Sequence, residues 1–267
     1  MSTLLHSQEC MRCSYLFLQK REPEGKYFSN VMNLDFDGKK AFFYNESSFA
    51  KDSLDVLAFA QDGSVKDENA YAKRRALTGA VTNDKSLIDF TNGIFVQEYF
   101  SVARFIGTMP LEIPQWELTG EEDDSSGYHC KVAKAEYLGR TWTIWFTEEI
   151  PAGVGPWFLW GAPGLIVYAI DSEKLINFKL MSVTQVGESR TDKYLEYKEK
   201  NPNRKVFSYS MPEMERMYTK YRTDGNFQGD ILGVSTVRIT DKNGNPVMPA
   251  KLLSYIPLIP DEYWKNK

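Results

Sequence analysis

Two turn dipeptides, each placed between segments with strand-like composition, constrain most strongly what this chain can fold into. They are Asp37-Gly38 and Asn92-Gly93. The flanking segments are 27–36 and 39–44 for the first turn, and 87–91 and 94–100 for the second. Both dipeptides favour the type I′ turn, because its positive φ angles match the twist of two paired strands. The sequence therefore predicts two antiparallel hairpins in the first hundred residues.

An excess of aromatic residues supports strands elsewhere in the chain. The 15 Tyr, 16 Phe and 6 Trp make up 14% of 267 residues, and aromatic side chains favour half-buried pleated surfaces. Further strands are predicted at 13–21, 128–137, 142–147, 165–170 and 178–185, with a last hairpin of 231–240 and 247–255 around 241–245. Strands that follow one another at short intervals through tight turns are typical of antiparallel sheets.

Helices are predicted in fewer places. The spacing of apolar residues predicts a helix over 48–60, beginning near Ser48, and a weaker one over 67–77. Ser210 and Glu213 form a capping box in front of a third helix over 212–222. The polar run 119–126 is interpreted as a connection, and 188–204 as a charged connection with a helical middle.

These elements together predict a mainly β protein, with an α+β arrangement as the alternative. We expect one curved antiparallel sheet or an open half-barrel with a few short helices. The whole of 1–267 is predicted to be a single domain, since no Pro/Ser-rich linker divides it. Residues 1–10 are expected to be a mobile terminus.

Charge and hydropathy exclude two classes of protein. The chain has 32 Lys+Arg and 36 Asp+Glu, a net charge of −4, which does not fit a basic nucleic-acid binder. No run of 18 apolar residues is present, so we expect no transmembrane segment. The three cysteines, Cys10, Cys13 and Cys130, permit at most one disulfide in any of three pairings.

Residues for catalysis are few. The two histidines are His6, in the terminus, and His129, beside Cys130. Consecutive strand residues point to opposite faces of a sheet, so this pair does not form a nucleophile and its base. The acidic pairs 121–124 and 148–149 are interpreted as solvated turns. We therefore predict no catalytic residue, no metal site and no cofactor.

Four of the six tryptophans, Trp142, Trp145, Trp157 and Trp160, fall within nineteen residues. Strand alternation puts Trp142 and Trp145 on opposite faces, so Trp142 is predicted to be core and Trp145 to lie near a surface depression. Packing and ligand contact both remain open for this cluster. The binding residues that we predict are Trp145, Trp157, Trp160 and Arg140, the last at the Gly139-Arg140 hairpin bend.

Residues 127–171 contain an ordered set of short motifs. They are Gly127-Tyr128-His129-Cys130, Gly139-Arg140, Phe146-Thr147 followed by Ile150-Pro151, Gly155-Pro156, and Gly161-Ala162-Pro163-Gly164-Leu165-Ile166. Their order and spacing resemble the GLPGLI family of Gram-negative envelope proteins, with Ala162 in place of the first Leu of the last motif. Gly161, Pro163 and Gly164 are interpreted as a rigid structural turn, in which both glycines adopt φ values closed to other residues.

The resemblance implies export, to the periplasm, the outer membrane or the medium, and Ser7-Gln8 resembles the end of a cleaved leader. It implies no reaction. The function expected is therefore a non-catalytic envelope module that binds an apolar or amphiphilic small molecule or an outer-membrane protein partner. The alternative is a protein that binds or processes carbohydrate through the Trp142–Trp160 region.

Overall fold

The computed structural model describes residues 10–20, 22–77, 84–100, 103–201, 205–233, 243–245 and 257–265. Within these residues, twelve strands form one open, unclosed sheet in the order β12-β6-β5-β4-β3-β2-β1-β11-β10-β9-β8-β7. The strands are β1 (Cys10–Lys20), β2 (Tyr27–Phe36), β3 (Lys40–Tyr44), β4 (Lys85–Asp89), β5 (Ile94–Phe100), β6 (Arg104–Pro110), β7 (Glu117–Ser125), β8 (Tyr128–Tyr137), β9 (Arg140–Thr147), β10 (Leu165–Asp171), β11 (Ile176–Val186) and β12 (Val206–Ser210).

Six helices accompany the sheet in the described part of the chain. They are α1 (Glu46–Ala58), α2 (Glu68–Ala76), α3 (Thr191–Lys200), α4 (Met211–Thr223), α5 (Gly225–Leu232) and α6 (Asp261–Lys265). The predicted fold class, mainly β with a few short helices on an open sheet, is confirmed. The sheet is mixed because β12 pairs with β6 in parallel, whereas the other neighbouring strands pair antiparallel.

The predicted turns lie where the dipeptides indicated. β2 and β3 pair across Asp37-Gly38, and β4 and β5 pair across Asn92-Gly93. Gly38 has a φ of 85° and Gly93 a φ of 64°, but Asp37 and Asn92 are not among the residues with positive φ. The predicted type I′ turn, which needs positive φ at both central residues, is therefore wrong in type although right in position. The helix predicted over 212–222 is α4, and at its start the Glu213 carboxylate accepts hydrogen bonds from the Ser210 backbone N–H at 3.3 Å and the Ser210 hydroxyl at 2.6 Å. α1 is capped by Asn45 and not near Ser48.

The polar run 119–126 was predicted wrongly as a connection, because most of it belongs to β7. In the sheet formed by the described residues, β7 is the edge strand and its neighbour is β8. Edge strands tolerate charged side chains, which discourage pairing with other chains, so the acidic composition hid the strand. β6 and β12 were not predicted, and Ile231 lies in α5 instead of a strand. Most of the predicted hairpin over 231–255, and residues 1–9, lie outside the described residues, while Cys10 is buried in β1.

The two faces of the sheet are covered differently. On one face, α1 and α3 pack over the strands from β3 to β6, around Phe42, Tyr44, Leu87 and Tyr194. On the other face, the connection between β9 and β10 fills the interior. Phe158 of this connection stacks on Phe95 of β5, with ring centroids 4.5 Å apart.

A buried network of charges joins α1 to three strands. The Lys85 ammonium lies 3.0 Å from Asp52 Oδ2, and Arg104 Nη1 donates to Glu98 Oε1 at 2.9 Å. Arg104 also pairs with Asp52. The Tyr194 hydroxyl of α3 donates to Glu98 Oε2 at 2.9 Å. These side chains are essentially inaccessible to solvent, so each charge depends on the others for compensation. No helix in the described residues is long and apolar enough to cross a membrane.

Candidate functional site

The four predicted binding residues lie in different environments, and Trp157 is the most deeply buried of them. It is 1% exposed, its ring centroid is 6.0 Å from that of Trp142, and its Nε1 donates to Gln97 Oε1 at 3.1 Å. The depth of Trp157 follows from the path of the β9–β10 connection into the interior, which strand alternation alone does not predict. Trp142 is also fully buried.

Trp145 lies on the opposite face of β9, where it is half-buried. Its ring is 5.0 Å from that of Tyr168 on the neighbouring β10, at an angle of 57°. Lys179 of β11 follows in the same row across the sheet, since it pairs with Tyr168. The helices α1 and α3 cover other strands of this face, so the Trp145–Tyr168 pair remains partly open to solvent.

Trp160 is also half-buried, at the corner formed by the loop before β7. Its Nε1 donates to the Glu112 carbonyl at 3.1 Å, and its own carbonyl accepts a 2.7 Å bond from Trp116 Nε1. Ile113 and Leu118 beside this corner are 63% and 64% exposed. The polar atoms of both indoles are therefore used within the protein.

The Arg140 guanidinium is engaged in contacts within the protein. Its guanidinium donates to the carbonyls of Leu258 at 2.9 Å and Pro257 at 2.7 Å, and it forms a 2.9 Å ion pair with Asp171. The side chain is 5% exposed. Arg140 thereby holds the segment that leads into α6 against the β8–β9 hairpin, next to a cleft of about 490 Å³.

The structural turn was predicted with one incorrect detail. Gly161 has the expected positive φ, at 83°, but Gly164 is not among the residues with positive φ. Gly164 is required for another reason: a Cβ built on it would lie 1.9 Å from the Thr147 carbonyl oxygen. The motif thus brings two backbone segments close together as well as turning the chain.

The three cysteines are buried, and His129 is exposed beside two acidic side chains. Cys10, Cys13 and Cys130 are free and buried. Burial raises the pKa of Cys13 to about 12 and that of Cys130 to about 11, which keeps both thiols protonated near neutral pH. His129 is exposed between Asp124 and Glu122, at 3.1 and 3.2 Å. Among the described residues, no cluster of His, Cys, Asp and Glu fits a metal ion.

A larger cleft lies between α4 and α6. It has a volume of about 870 Å³, within the range typical of small-molecule sites. We call it the α4–α6 cleft, and the described residues that line it are Pro212, Glu215, Arg216, Thr219, Lys220, Asp224, Asp261, Trp264 and Lys265. The residues of α4 that line the cleft differ from Met211 and Met214, which pack into the core.

Trp264 gives this cleft its aromatic wall. The indole is half-buried and packs edge-on against Tyr263, with ring centroids 4.8 Å apart. Its Nε1 is shielded from solvent and has no hydrogen-bond partner among the residues that the structure describes. A shielded N–H without an acceptor is costly, and because this atom is inaccessible to solvent, the part of the indole that lines the cleft is its apolar ring.

The sequence offered little to indicate the α4–α6 cleft. Arg216 and Lys220 are four residues apart in the predicted helix and therefore share a face, which was a usable signal. Trp264 lies in the tail after Pro260, about forty residues further along the chain. Only the docking of the tail by Arg140 and Tyr263 brings it beside α4. The Tyr263 hydroxyl donates to Glu112 Oε2 at 3.1 Å.

Comparisons with known proteins bear on the fold alone. No family model and no curated protein matches the chain. Two solved structures of PNGF-II, in the C2 and P21 space groups, are similar to it with a TM-score of 0.52 each, at 16% and 15% sequence identity. Each match covers 80% of this chain and 33% or 34% of the PNGF-II chain. The chain thus spans about a third of the PNGF-II chain and shares with it an arrangement of strands.

Proposed function

We propose that this chain is a non-catalytic β module that binds an apolar or amphiphilic small molecule in the α4–α6 cleft. The observation that carries the proposal is the half-buried Trp264 indole, which gives an aromatic wall to a cleft of about 870 Å³. Aromatic walls with a few polar groups are typical of small-molecule sites. Pro212 adds a second apolar surface to the same cleft.

We further propose that the chain belongs to the GLPGLI family and is exported to the cell envelope. The support is the ordered motif of residues 127–171 and the constraints on its glycines. Gly161 needs a positive φ, and Gly164 leaves no room for a side chain beside Thr147. These constraints explain why such a motif would keep its glycines even where Leu is replaced by Ala162. Immunoblotting of fractionated source cells tests the location, and a signal confined to the cytoplasm would reject export.

The alternative, carbohydrate binding, now depends on Trp145 instead of the whole Trp142–Trp160 region. Trp142 and Trp157 are fully buried, and the Trp160 N–H is already hydrogen-bonded. Trp145 is the member of the cluster that, with Tyr168 of β10, offers half-buried aromatic surface on the sheet. Sugar rings stack on such surfaces, so this pair is the second candidate site.

One pair of variants separates the two proposals. Trp264→Ala removes the wall of the α4–α6 cleft, and Trp145→Ala removes the platform on the sheet. Calorimetric titration would use decanoate, decyl maltoside and a panel of oligosaccharides, with circular dichroism to check that each variant is folded. We expect a decyl ligand to bind the unaltered chain and Trp145→Ala, and to lose affinity for Trp264→Ala. Binding of an oligosaccharide that depends on Trp145 would favour the alternative, and a chain that binds no decyl compound would refute the first proposal.

A further inference from the structure

We infer that the ligand of the α4–α6 cleft carries an oxyanion group, a carboxylate or a phosphate, next to its apolar part. The inference rests on the proposed function and names the chemical class of the ligand. Some charged side chains of the cleft already form hydrogen bonds or ion pairs within the protein, and others remain available to a ligand. The inference follows from comparing these two groups.

Two of the three carboxylates in the cleft are engaged. Glu215, which is 3% exposed, accepts a 2.7 Å hydrogen bond from the Tyr99 hydroxyl. Asp224 caps α5 by accepting from the backbone N–H groups of Asn226 at 2.9 Å and Phe227 at 3.1 Å. A carboxylate that caps a helix keeps its charge directed at the backbone, so neither acid is free to bind a cationic ligand.

The third carboxylate, Asp261, lies at the mouth of the cleft. It is exposed and is the first residue of α6. It also lines the neighbouring cleft beside Arg140. Solvent screens its charge as it screens those of the exposed Arg216, Lys220 and Lys265, so one available carboxylate stands against three cations in the cleft.

The cationic groups are much less engaged. Arg216 and Lys220 are exposed on one face of α4, and Lys265 faces them from α6. The salt bridges found in the described part of the chain include none to Arg216 or Lys220. Lys220 Nζ lies 4.6 Å from the Phe227 ring centroid. Lys265 Nζ lies 4.0 Å from Glu262 Oε1, and both of these side chains are more than 70% exposed, so that pair is weak.

The available hydrogen-bonding groups are therefore mostly donors. These donors are the exposed side chains of Arg216, Lys220 and Lys265, while Trp264 contributes apolar ring surface to the wall. Lysine and arginine bind carboxylates and phosphates through charge-assisted hydrogen bonds. An anionic amphiphile would place its head group among the three cations and its chain against Trp264 and Pro212.

The test compares head groups on one alkyl chain. Decanoate, decyl phosphate and decyl maltoside are titrated into the intact chain by calorimetry at low and high salt. We expect decanoate or decyl phosphate to bind more tightly than decyl maltoside, with an affinity that falls as salt increases. The stronger of the two anions identifies the head group.

A pair of double variants with equal charge changes completes the test. Arg216→Gln with Lys220→Gln neutralises the rim, and we expect it to weaken binding of the anionic ligand about tenfold, as loss of a charge-assisted hydrogen bond predicts. Lys193→Gln with Lys200→Gln, on exposed positions of α3 that do not line the cleft, should leave affinity unchanged. Equal affinity for decyl maltoside and the anions, insensitive to the rim variant, would overturn this inference and leave the proposed function standing. Failure of all three ligands to bind would remove the proposed function itself.

Discussion

The Thr147 carbonyl oxygen lies 1.9 Å from the position that a Cβ on Gly164 would occupy. Thr147 is the last residue of β9, and Gly164 is the last residue of the connection 148–164, directly before β10. The connection is tied down by backbone hydrogen bonds, including Leu165 N to the Ile150 carbonyl at 3.0 Å. The absence of a side chain at Gly164 is what allows this approach.

Gly164→Ala should therefore destabilise the fold by at least about 3 kcal/mol, the upper end of the usual cost of overpacking. The clash is with backbone, which cannot move aside as a flexible side chain can. Urea unfolding measures the effect. The matched control is Gly187→Ala, because no atom lies within 4 Å of a Cβ there and its φ is not positive. We expect that variant to stay within about 0.5 kcal/mol of the unaltered chain, and a similarly small change for Gly164→Ala would contradict the steric account.

Glu98→Gln should cost about 3–5 kcal/mol, the usual penalty for removing one partner from a buried ion pair. Glu98 faces Lys85 at 3.3 Å and Arg104 at 2.9 Å, so without its charge both buried cations lose a carboxylate that pairs with them. Glu196→Gln is the control, since the Glu196–Lys200 pair is more than half exposed and such pairs contribute about 1 kcal/mol or less. Equilibrium unfolding in urea compares the two. Equal losses would show that the buried network is not stabilising by charge.

Lowering the pH should reduce the free energy of unfolding through protonation of Glu98. Burial alone would raise the pKa of Glu98, but the charges of Arg104 and Lys85 and the Tyr194 hydrogen bond outweigh it and lower the pKa from 4.5 to about 2. A lowered pKa in the folded state contributes stability that is complete above about pH 4.5 and is lost as the pH falls towards 2. Urea midpoints measured across this window should fall more steeply for the unaltered chain than for Glu98→Gln. Parallel curves would assign the acid sensitivity to other carboxylates.

Arg140→Lys should loosen the tail without unfolding the sheet. Lysine can keep a charge beside Asp171, but it cannot reproduce the two guanidinium bonds to the Pro257 and Leu258 carbonyls. We expect faster hydrogen exchange in peptides that cover 257–265, measured by mass spectrometry, and unchanged exchange in β9. Arg12→Lys, whose ion pair with Asp35 lies in β1 and β2, is the control. Unchanged exchange in the tail of Arg140→Lys would mean that Arg140 does not hold it.

Local sequence was enough to predict the β2–β3, β4–β5 and β8–β9 hairpins and the helices α1, α2 and α4. Asp37-Gly38 and Asn92-Gly93 define their turns within two residues, and the Ser210–Glu213 capping box defines the start of α4. Such signals work because the interactions involved span only a few residues. The buried side of β9 was predictable for the same reason, since alternation puts Trp142 and Trp145 on opposite faces.

Contacts between distant segments were not predictable in this way. The acidic β7 is a strand because β8 lies beside it, and β12 is a strand because it pairs in parallel with β6, about a hundred residues earlier in the chain. Trp157 is buried because its connection enters the interior. No local sequence pattern predicts these contacts between distant segments, because a long connection does not fix the relative positions of the elements that it joins.

The sequence by itself determined the β character of this protein, its tight turns and the alternation of its strands, all of which depend on backbone preferences and neighbouring residues. Only the tertiary structure decided which aromatic residues face solvent and where a ligand could bind. Arg140 and Trp264 show the reason. Arg140 holds the tail through two backbone carbonyls, and that contact brings α6 and Trp264 beside α4, although carbonyl acceptors are the same at every residue and leave no trace in the sequence.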